Sequence, residues 1–203
     1  MKLLKLLYRK LKNGRVRILL RAENGRRLEM SSSVSFAGKP ILTTVPESRI
    51  RLGPRARLVS TSRSTDLGVN HPVVLRTLVS GARILIGRDV GISGGSICAA
   101  SLVQIGDGVL IGANVTIADT DFHPVDSSAR RYAPLPPPRE GDAVVIGDNV
   151  FIGTAAVILK GSRIGSNSVV GAGAIVKGHF ASGSVIAGNP ARSIKSLALE
   201  DES

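Results

Sequence analysis

Residues 146–176 read IGDNVF-IGTAAV-ILKGSR-IGSNSV-VGAGAI-V, and an Ile or a Val opens every group of six. The same spacing recurs upstream at Ile105, Ile111 and Ile117. A glycine often follows the opening residue, and the position four residues after it is small or aliphatic. A coiled coil repeats every 3.5 residues or so and a leucine-rich repeat every 20 or more. The period of six therefore predicts a unit of one short strand and one corner.

Three such units close a triangular coil, and successive coils stack about 4.8 Å apart through parallel ladders of hydrogen bonds. Side chains alternate between the two faces of a strand, so one aliphatic side chain per unit points into the coil. The composition agrees with narrow, regular core layers, because aromatic residues make up only 3% of the chain and Gly occurs 23 times. We therefore predict an all-β protein, built as a parallel β-helix.

Upstream of residue 100 the repeat is weaker. The frame continues there, with a slip of one residue and a break at Ser80, through Val74, Ile86, Ile92 and Cys98, and a weaker trace appears at Leu52 and Leu58. This frame predicts that Cys98 is a small core residue and not a nucleophile. A single cysteine also excludes an internal disulfide and a metal site built from a cysteine cluster.

Positive charge is concentrated in the first third of the chain. Residues 1–63 contain 16 Lys and Arg against three acidic residues, a net charge of +13, whereas the remainder has a net charge of −1. On a helix, the leucines of residues 1–12 share one face and the cations lie elsewhere. We predict a short amphipathic helix that contacts an anionic membrane surface; packing on the β-helix and disorder remain the alternatives.

These patterns divide the chain into a basic N-terminal segment (1–48), a β-helix domain (49–195) and a C-terminal tail (196–203). The N-terminus lacks the continuous apolar stretch and the cleavage site of a signal peptide. No stretch approaches the ~18 apolar residues that a membrane-spanning helix needs. We expect a cytoplasmic protein, with peripheral contact at the inner membrane face as the open alternative.

The clearest break in the repeat lies at position 123. The frame predicts an inward aliphatic residue there, but the sequence has His123 followed by Pro124. Regular groups of six resume only at Ile146, after a proline-rich stretch. Because proline cannot donate to a ladder, we predict a loop excursion over residues 122–145. Long loops on a rigid fold are usually functional, so His123 is the candidate catalytic residue.

Three segments carry a resemblance to a known family: DTDFHPVD at 119–126, IGDNVFIG at 146–153 and GNPAR at 188–192. They resemble the hexapeptide-repeat acyltransferases. Within that family they look closest to the maltose/galactoside and nodulation-factor O-acetyltransferases and to the acetyltransferases of bacterial surface-polysaccharide synthesis. The resemblance covers about residues 74–195. It implies a left-handed coil, a homotrimer with active sites between subunits, and acetyl-CoA as the acyl donor.

The resemblance assigns the catalytic role to His123. Imidazole exchanges protons near neutral pH, so it can take the proton of a sugar hydroxyl that attacks the thioester directly. The developing oxyanion needs a donor, most simply a backbone N–H. By the same resemblance, small corner residues face the pantetheine arm and an arginine approaches the CoA phosphates. The implied cofactor-binding residues are Gly153, Thr154, Ala155, Ala172 and Arg192, with Lys160, Lys177 and Lys195 as weaker phosphate-binding candidates.

Related sugar acetyltransferases use an Asn one coil before the histidine to contact the acceptor, and this chain has Ser93-Gly-Gly-Ser96 there. The implied substrate-binding residues are therefore Ser93, Ser96 and Asp121, and the identity of the acceptor stays open. The acidic residues around His123 either orient its second ring nitrogen or fix the loop; these residues are Asp119, Asp121 and Asp126.

The other two histidines are expected on the surface. Both His71 and His179 fall on outward corners of the frame, although His71 has the alternative of bordering a substrate cleft.

We predict an enzyme, a CoA-dependent O-acetyltransferase that acts on a sugar or glycan. One alternative keeps the scaffold but acylates an amine or an antibiotic hydroxyl. Another is a non-catalytic β-helix scaffold. Nucleic acid is not an expected partner, because the β-helix is neutral and has few aromatic side chains for stacking.

Overall fold

The computed structural model describes the backbone of residues 2–198 and the side chains of residue 11 and residues 13–198. It is a left-handed parallel β-helix preceded by one α-helix, α1 (Lys2–Asn24). Consecutive strands of the chain belong to three different sheets, which we name A, B and C in the order in which the chain visits them. The corners between the sheets stack into three edges, named AB, BC and CA in the direction of the chain.

Each sheet takes one strand from each coil except at the C-terminal end, where β20 and β21 both belong to sheet B and sheet C receives no further strand. Sheet A contains β1 (Leu28–Met30), β4 (Arg49–Leu52), β7 (Arg83–Ile86), β10 (Leu102–Ile105), β13 (Val144–Ile146), β16 (Arg163–Ile164) and β19 (His179–Phe180). Sheet B contains β2 (Ser35–Ala37), β5 (Arg57–Val59), β8 (Gly91–Ser93), β11 (Leu110–Ile111), β14 (Phe151–Ile152), β17 (Val169–Val170), β20 (Ser184–Gly188) and β21 (Ala191–Ser196). Sheet C contains β3 (Ile41–Thr43), β6 (Val74–Thr77), β9 (Ser96–Ala99), β12 (Thr116–Ala118), β15 (Val157–Ile158) and β18 (Ile175–Val176).

The core confirms the period of six. The opening residues of the groups from Ile146 to Val176 are all at most 2% exposed, and parallel pairing stacks them coil on coil. The positions four residues later are buried as well from Val150 to Ala174, and Phe180 is half-buried. Two of them are serines, and each hydroxyl finds a backbone acceptor; the Ser162 hydroxyl donates to the Leu159 carbonyl over 2.6 Å. Buried polar groups are tolerated when they are paired in this way.

The glycine after the opening residue is required by the stacking of the coils. A Cβ atom at Gly147 would lie 2.6 Å from the backbone N of Ser166, and one at Gly153 would lie 2.5 Å from that of Ala172. Both partner atoms belong to the corner of the next coil, whose backbone cannot move away without breaking its ladder. At these corners the sequence pattern therefore reflects contact between neighbouring coils.

The β-helix begins earlier than the predicted boundary at residue 49. Strand β1 pairs with β4, with Leu28 opposite Ile50 and Met30 opposite Leu52, so the first coil lies within the segment 1–48. Its inward residues also follow a spacing of six, at Met30, Phe36 and Leu42. The spacing is hard to see because these residues are neither Ile nor Val and no glycine follows them. The division into domains stays a prediction, but its first boundary differs from the start of the ladder.

The upstream frame is wrong at two positions. Leu75 points inward and Val74 outward, and Ile97 points inward while Cys98 lies half-buried on the outer face of sheet C. Ile92 and Ile97 are only five residues apart, because the corner between them turns on a Gly-Gly pair with Gly94 at φ +53°. Burial still raises the pKa of the Cys98 thiol, which disfavours the thiolate.

Helix α1 closes the N-terminal end of the prism and is longer than residues 1–12. Its buried Leu20 joins the core, and the Arg17 guanidinium donates to the carbonyls of Ser31 and Val34 over 2.7 and 2.8 Å. The predicted leucine face of residues 1–12 lies outside the described side chains, except for Leu11, which is 67% exposed. Within the described part of the chain, no helix is long and apolar enough to cross a membrane.

Candidate active site

The predicted excursion leaves the prism at the CA edge, between β12 and β13. Its departure is fixed by Asp119, which is fully buried. The two oxygens of this carboxylate accept the N–H groups of Ala100 and Ser101, in the corner one coil below, over 2.6 and 2.7 Å. Burial raises the pKa of Asp119, and the hydrogen bonds from the backbone oppose that rise. Asp119 thus fixes the loop. This is one of the two roles that the sequence left open for the acidic residues around His123.

A strained turn then presents His123. Phe122 has φ +63°, and the His123 N–H donates to the carbonyl of Asp121 over 2.7 Å, which closes a three-residue turn. Turns of this kind with positive φ are rare, and a bulky residue adopts such a φ only where its surroundings hold it. The imidazole of His123 is exposed and makes no hydrogen bond to any protein group that the structure describes. Its ring nitrogens are therefore available to a substrate.

His123 lines a cavity of about 270 Å³ between the start and the end of the loop. The start contributes Asp119, Asp121 and Asp126, and the end contributes a run of prolines, Arg139 and Asp142. Lys160, in the corner one coil above, completes the wall. Its ammonium lies 2.6 Å from Asp121 Oδ2 and 3.8 Å from Asp142 Oδ1. The hydrogen bond and charge of Asp121 raise the pKa of Lys160.

The residues predicted to bind the cofactor lie on a different edge. Gly153, Thr154, Ala155 and Ala172 occupy successive corners of the BC edge, where the Gly173 N–H donates to the Thr154 carbonyl over 2.9 Å. The Thr154 hydroxyl donates to the carbonyl of a residue one coil below over 2.7 Å, so its side chain is held at the corner. Ala155 has φ +56°, and both alanines are exposed. The backbone is accessible at this edge, because the side chains of its corner residues are small.

Arg192 lies beyond this edge on β21, which returns antiparallel to β20 and pairs Arg192 with Ala187. Ala187 in turn stacks over Gly171 of the BC edge.

The serines of the acceptor prediction lie on the BC edge as well. Ser93 ends β8 and Ser96 begins β9, and neither lines the cavity around His123. A second excursion, residues 60–73, leaves the prism at the same edge and was not predicted. It is held by the Asn70 N–H, which donates to Asn114 Oδ1 over 2.8 Å. His71 lies in this excursion, half-buried, with Nδ1 2.7 Å from the Pro72 carbonyl oxygen.

Comparison with protein families identifies the repeat. The model "Bacterial transferase hexapeptide (six repeats)" matches residues 143–178, and "Hexapeptide repeat of succinyl-transferase" matches residues 102–118. The chain is similar to the hexapeptide-repeat acetyltransferases. A galactoside O-acetyltransferase of Escherichia coli K12 is 41% identical over 100 residues, which is 49% of this chain and 47% of that protein. The putative lipopolysaccharide biosynthesis O-acetyl transferase WbbJ of the same strain is 38% identical over 103 residues, 49% of this chain and 53% of that protein.

Solved structures agree on the fold. A polysialic acid O-acetyltransferase, OatWY, superposes with a TM-score of 0.55 at 20% identity, over 87% of this chain and 90% of that one. A galactoside acetyltransferase in complex with coenzyme A gives 0.52 at 23% identity, over 94% and 86%. The chain spans about half the length of the curated relatives that it matches.

Proposed function

We propose that the protein transfers an acetyl group from acetyl-CoA to a hydroxyl of a sugar or glycan, with His123 as the general base. The observation that carries this proposal is the position of His123. It stands with an exposed imidazole in the wall of a cavity of about 270 Å³, on a strained turn that buried Asp119 anchors to the prism. Strain of this kind persists only where the surrounding structure maintains it, and it is common at active sites.

In the proposed reaction His123 removes the proton of the acceptor hydroxyl while its oxygen attacks the thioester carbon of acetyl-CoA. CoA leaves as the thiol, after taking up a proton from the imidazolium, and the acceptor becomes an ester. A base of this kind accelerates such a step about 10²–10⁴-fold. The charge that develops on the carbonyl oxygen requires a hydrogen-bond donor, and an exposed backbone N–H is the simplest one.

The BC edge fits the donor substrate. Pantetheine is a narrow chain with two amides, and the corners at Thr154, Ala155 and Ala172 leave the backbone open to such a chain. Nothing lies within 4 Å of the place where a Cβ atom of Gly173 would be. We propose that Thr154, Ala155 and Ala172 contact the arm and that Arg192 pairs with the phosphates. Gly153 is buried beneath the corner of Ala172, so its proposed role is to let these two corners stack closely. Ser93, Ser96 and Asp121 are the proposed contacts to the acceptor.

One chain cannot bring these groups together, because His123 lies on the CA edge and the proposed donor surface on the BC edge. Both edges flank sheet C. In a ring of three copies with sheet C turned towards the axis, the CA edge of each copy meets the BC edge of the next. One of the outward rows of sheet C contains no charged residue; it consists of Ile41, Val74, Ser96, Thr116, Val157 and Ile175. Arg76 is exposed on the neighbouring row, where it stands beside Cys98. We therefore propose a homotrimer with the site between neighbouring copies.

Acetyl-CoA turnover, followed as the release of free thiol against a panel of sugars and glycan fragments, tests the function. We expect turnover with at least one hydroxyl acceptor. Acetylation of amines but not hydroxyls would favour the alternative of an amine or antibiotic acceptor. A protein that binds no CoA would be a scaffold.

We also propose that residues 1–12 hold the protein at the inner face of a membrane. Helix α1 presents Leu11, Ile18 and Leu19 to solvent, at 67%, 69% and 48% exposure. Cations surround these residues in the sequence, and the combination suits an anionic lipid surface.

A further inference from the structure

Lys160 stands between the two ends of the catalytic loop. It belongs to the corner after β15 on the CA edge, one coil above the corner at which the loop departs. Its ammonium reaches Asp121 at the start of the loop and Asp142 at its end, over 2.6 and 3.8 Å. The Lys160 side chain is 24% exposed and that of Asp142 16% exposed, so the ammonium is partly shielded from solvent.

The two ends of the loop differ in how much else holds them. At the closing end, the Gly161 N–H donates to the Asp142 carbonyl over 2.7 Å, and the Arg139 N–H donates to the Asp142 carboxylate over 2.8 Å. Backbone bonds therefore fix that end without Lys160. At the opening end, Asp119 ties the chain to the coil below. Among the described residues, only Lys160 ties the segment between Asp119 and His123 to the coil above.

The connection from Asp121 to His123 is short and stiff. The carbonyl of Asp121 accepts the N–H of His123, and Phe122 between them has positive φ. A displacement of Asp121 therefore carries the backbone of His123 with it. The pair of Lys160 and Asp121 contributes little to global stability, since partly exposed ion pairs rarely do. Its effect is local, on the direction in which the imidazole points.

We propose that Lys160 is a positioning residue that fastens the opening segment of the loop through Asp121 and so holds His123 in its reactive orientation. The catalytic part of this proposal rests on the proposed function. Lys160 does not touch the reacting atoms. Its two carboxylate partners already engage its ammonium, which argues against the role of a CoA-phosphate ligand that the sequence suggested.

Hydrogen exchange of the full-length protein tests the fastening without any assay of activity. We expect Lys160→Met to increase exchange in peptides that cover residues 119–126 several-fold, whereas Lys160→Arg restores most of the protection. Arg163→Met is the matched control, because Arg163 is an exposed cation of the next coil with no ion pair among the described residues. Unchanged exchange in Lys160→Met would overturn the proposal.

Kinetics then distinguish positioning from cofactor binding. With acetyl-CoA and the best acceptor, we expect Lys160→Met to lower kcat about 10–100-fold with little change in the KM for acetyl-CoA, because misplacement by about 1 Å has effects of this size. Asp121→Asn should lower kcat too, and the double variant should be no worse than the more damaging single one. A raised KM for acetyl-CoA at unchanged kcat would make Lys160 a phosphate ligand instead. If the wild-type protein shows no turnover, the proposed function fails, and hydrogen exchange still decides the fastening.

Discussion

His123 occupies a position at which the repeat calls for an inward aliphatic side chain, and the structure places it outside the prism. Asp119 makes this departure possible, because its carboxylate accepts hydrogen bonds from the backbone N–H groups of the corner below. The histidine and the buried aspartate are therefore one local arrangement: the carboxylate ends the coil, and the strained turn that follows exposes the imidazole. Each of the two residues has a separate test.

Substitution His123→Ala should lower turnover of acetyl-CoA by about two to four orders of magnitude, since the acceptor hydroxyl loses its base. CoA binding and the melting temperature should stay close to those of the wild type, because the side chain is exposed and unpaired among the described residues. His179→Ala, at an exposed position of sheet A, is the control and should keep full turnover. Near-normal turnover of His123→Ala would exclude this residue as the base.

Replacing Asp119 should weaken the fold. In Asp119→Ala the buried N–H of Ala100 and the half-buried N–H of Ser101 lose their acceptor, so we expect the free energy of unfolding to fall by about 1–3 kcal/mol. Urea denaturation at constant pH measures the change. If the free energy of unfolding falls by less than the error of its extrapolation to zero urea, water has replaced the carboxylate as the hydrogen-bond acceptor.

The raised pKa of Asp119 also predicts a pH dependence. The folded state binds this proton more tightly than the unfolded state does, so ionisation of Asp119 removes stability as the pH rises through the raised pKa, starting near the ordinary carboxyl value of about 4. The difference in unfolding free energy between the wild type and Asp119→Asn should therefore shrink as the pH rises above about 4. A difference that grows with pH would contradict the assignment.

At the scale of the coil, close contact between neighbouring backbones limits which residues a position tolerates as strictly as packing in the core does. Gly147→Ala should lower the free energy of unfolding by about 1–3 kcal/mol, because the new methyl group meets the backbone of Ser166. Ile158→Ala should cost about 2–5 kcal/mol through the cavity that it leaves in the stack. Gly14→Ala, in α1 with nothing near the new methyl group, should be neutral or stabilising by up to about 1 kcal/mol. Chemical denaturation measures the free energy of unfolding of each variant. Equal changes for Gly147→Ala and Gly14→Ala would refute the steric argument.

At the scale of the molecule, the proposed trimer predicts that a charge introduced on sheet C disrupts assembly, whereas one introduced on sheet A does not. Val157→Glu places an unpaired charge on sheet C at the threefold axis, and we expect light scattering to show dissociation to monomers together with loss of turnover. Val145→Glu is the matched control, because Val145 lies half-buried on the outside of sheet A in the same coil. It should remain trimeric and active. A wild-type protein that is monomeric at micromolar concentration would remove the inter-subunit site.

Membrane contact concerns the end of the molecule that α1 covers. Residues 1–12 contain five Lys and Arg, each worth about 1 kcal/mol at an anionic surface, and a trimer would present three copies. The full-length chain should sediment with anionic vesicles at low salt and be released at high salt, whereas a chain without residues 1–12 should stay in solution. Equal binding by both chains, or none by either, would leave α1 as a packing element.

The local pattern of this sequence determined the inside and outside of each coil from Ile105 onwards, because alternation along a strand depends only on nearest neighbours. It also predicted an excursion that opens near His123, since proline and a misplaced histidine interrupt the period locally. The structure ends the last strand before the excursion at Ala118, a few residues before the predicted start at 122. Where the chain makes an excursion, the period of six no longer shows which residues are one coil apart. Asp148 meets Ser166 at a separation of 18 residues, but Asp107 meets Asp148 at a separation of 41, across the loop.

Only the tertiary structure decided which corners stack into one edge. It placed Lys160 beside Asp121 and Asp142, put His123 and the glycine-alanine corners on different edges, and turned Cys98 outward. It also revealed the first coil, whose Met, Phe and Leu fill the same inward positions without the Ile-Gly signature. The physical reason is the same throughout: an edge consists of residues one coil apart in space, and the number of residues in a coil varies with every excursion that the chain makes.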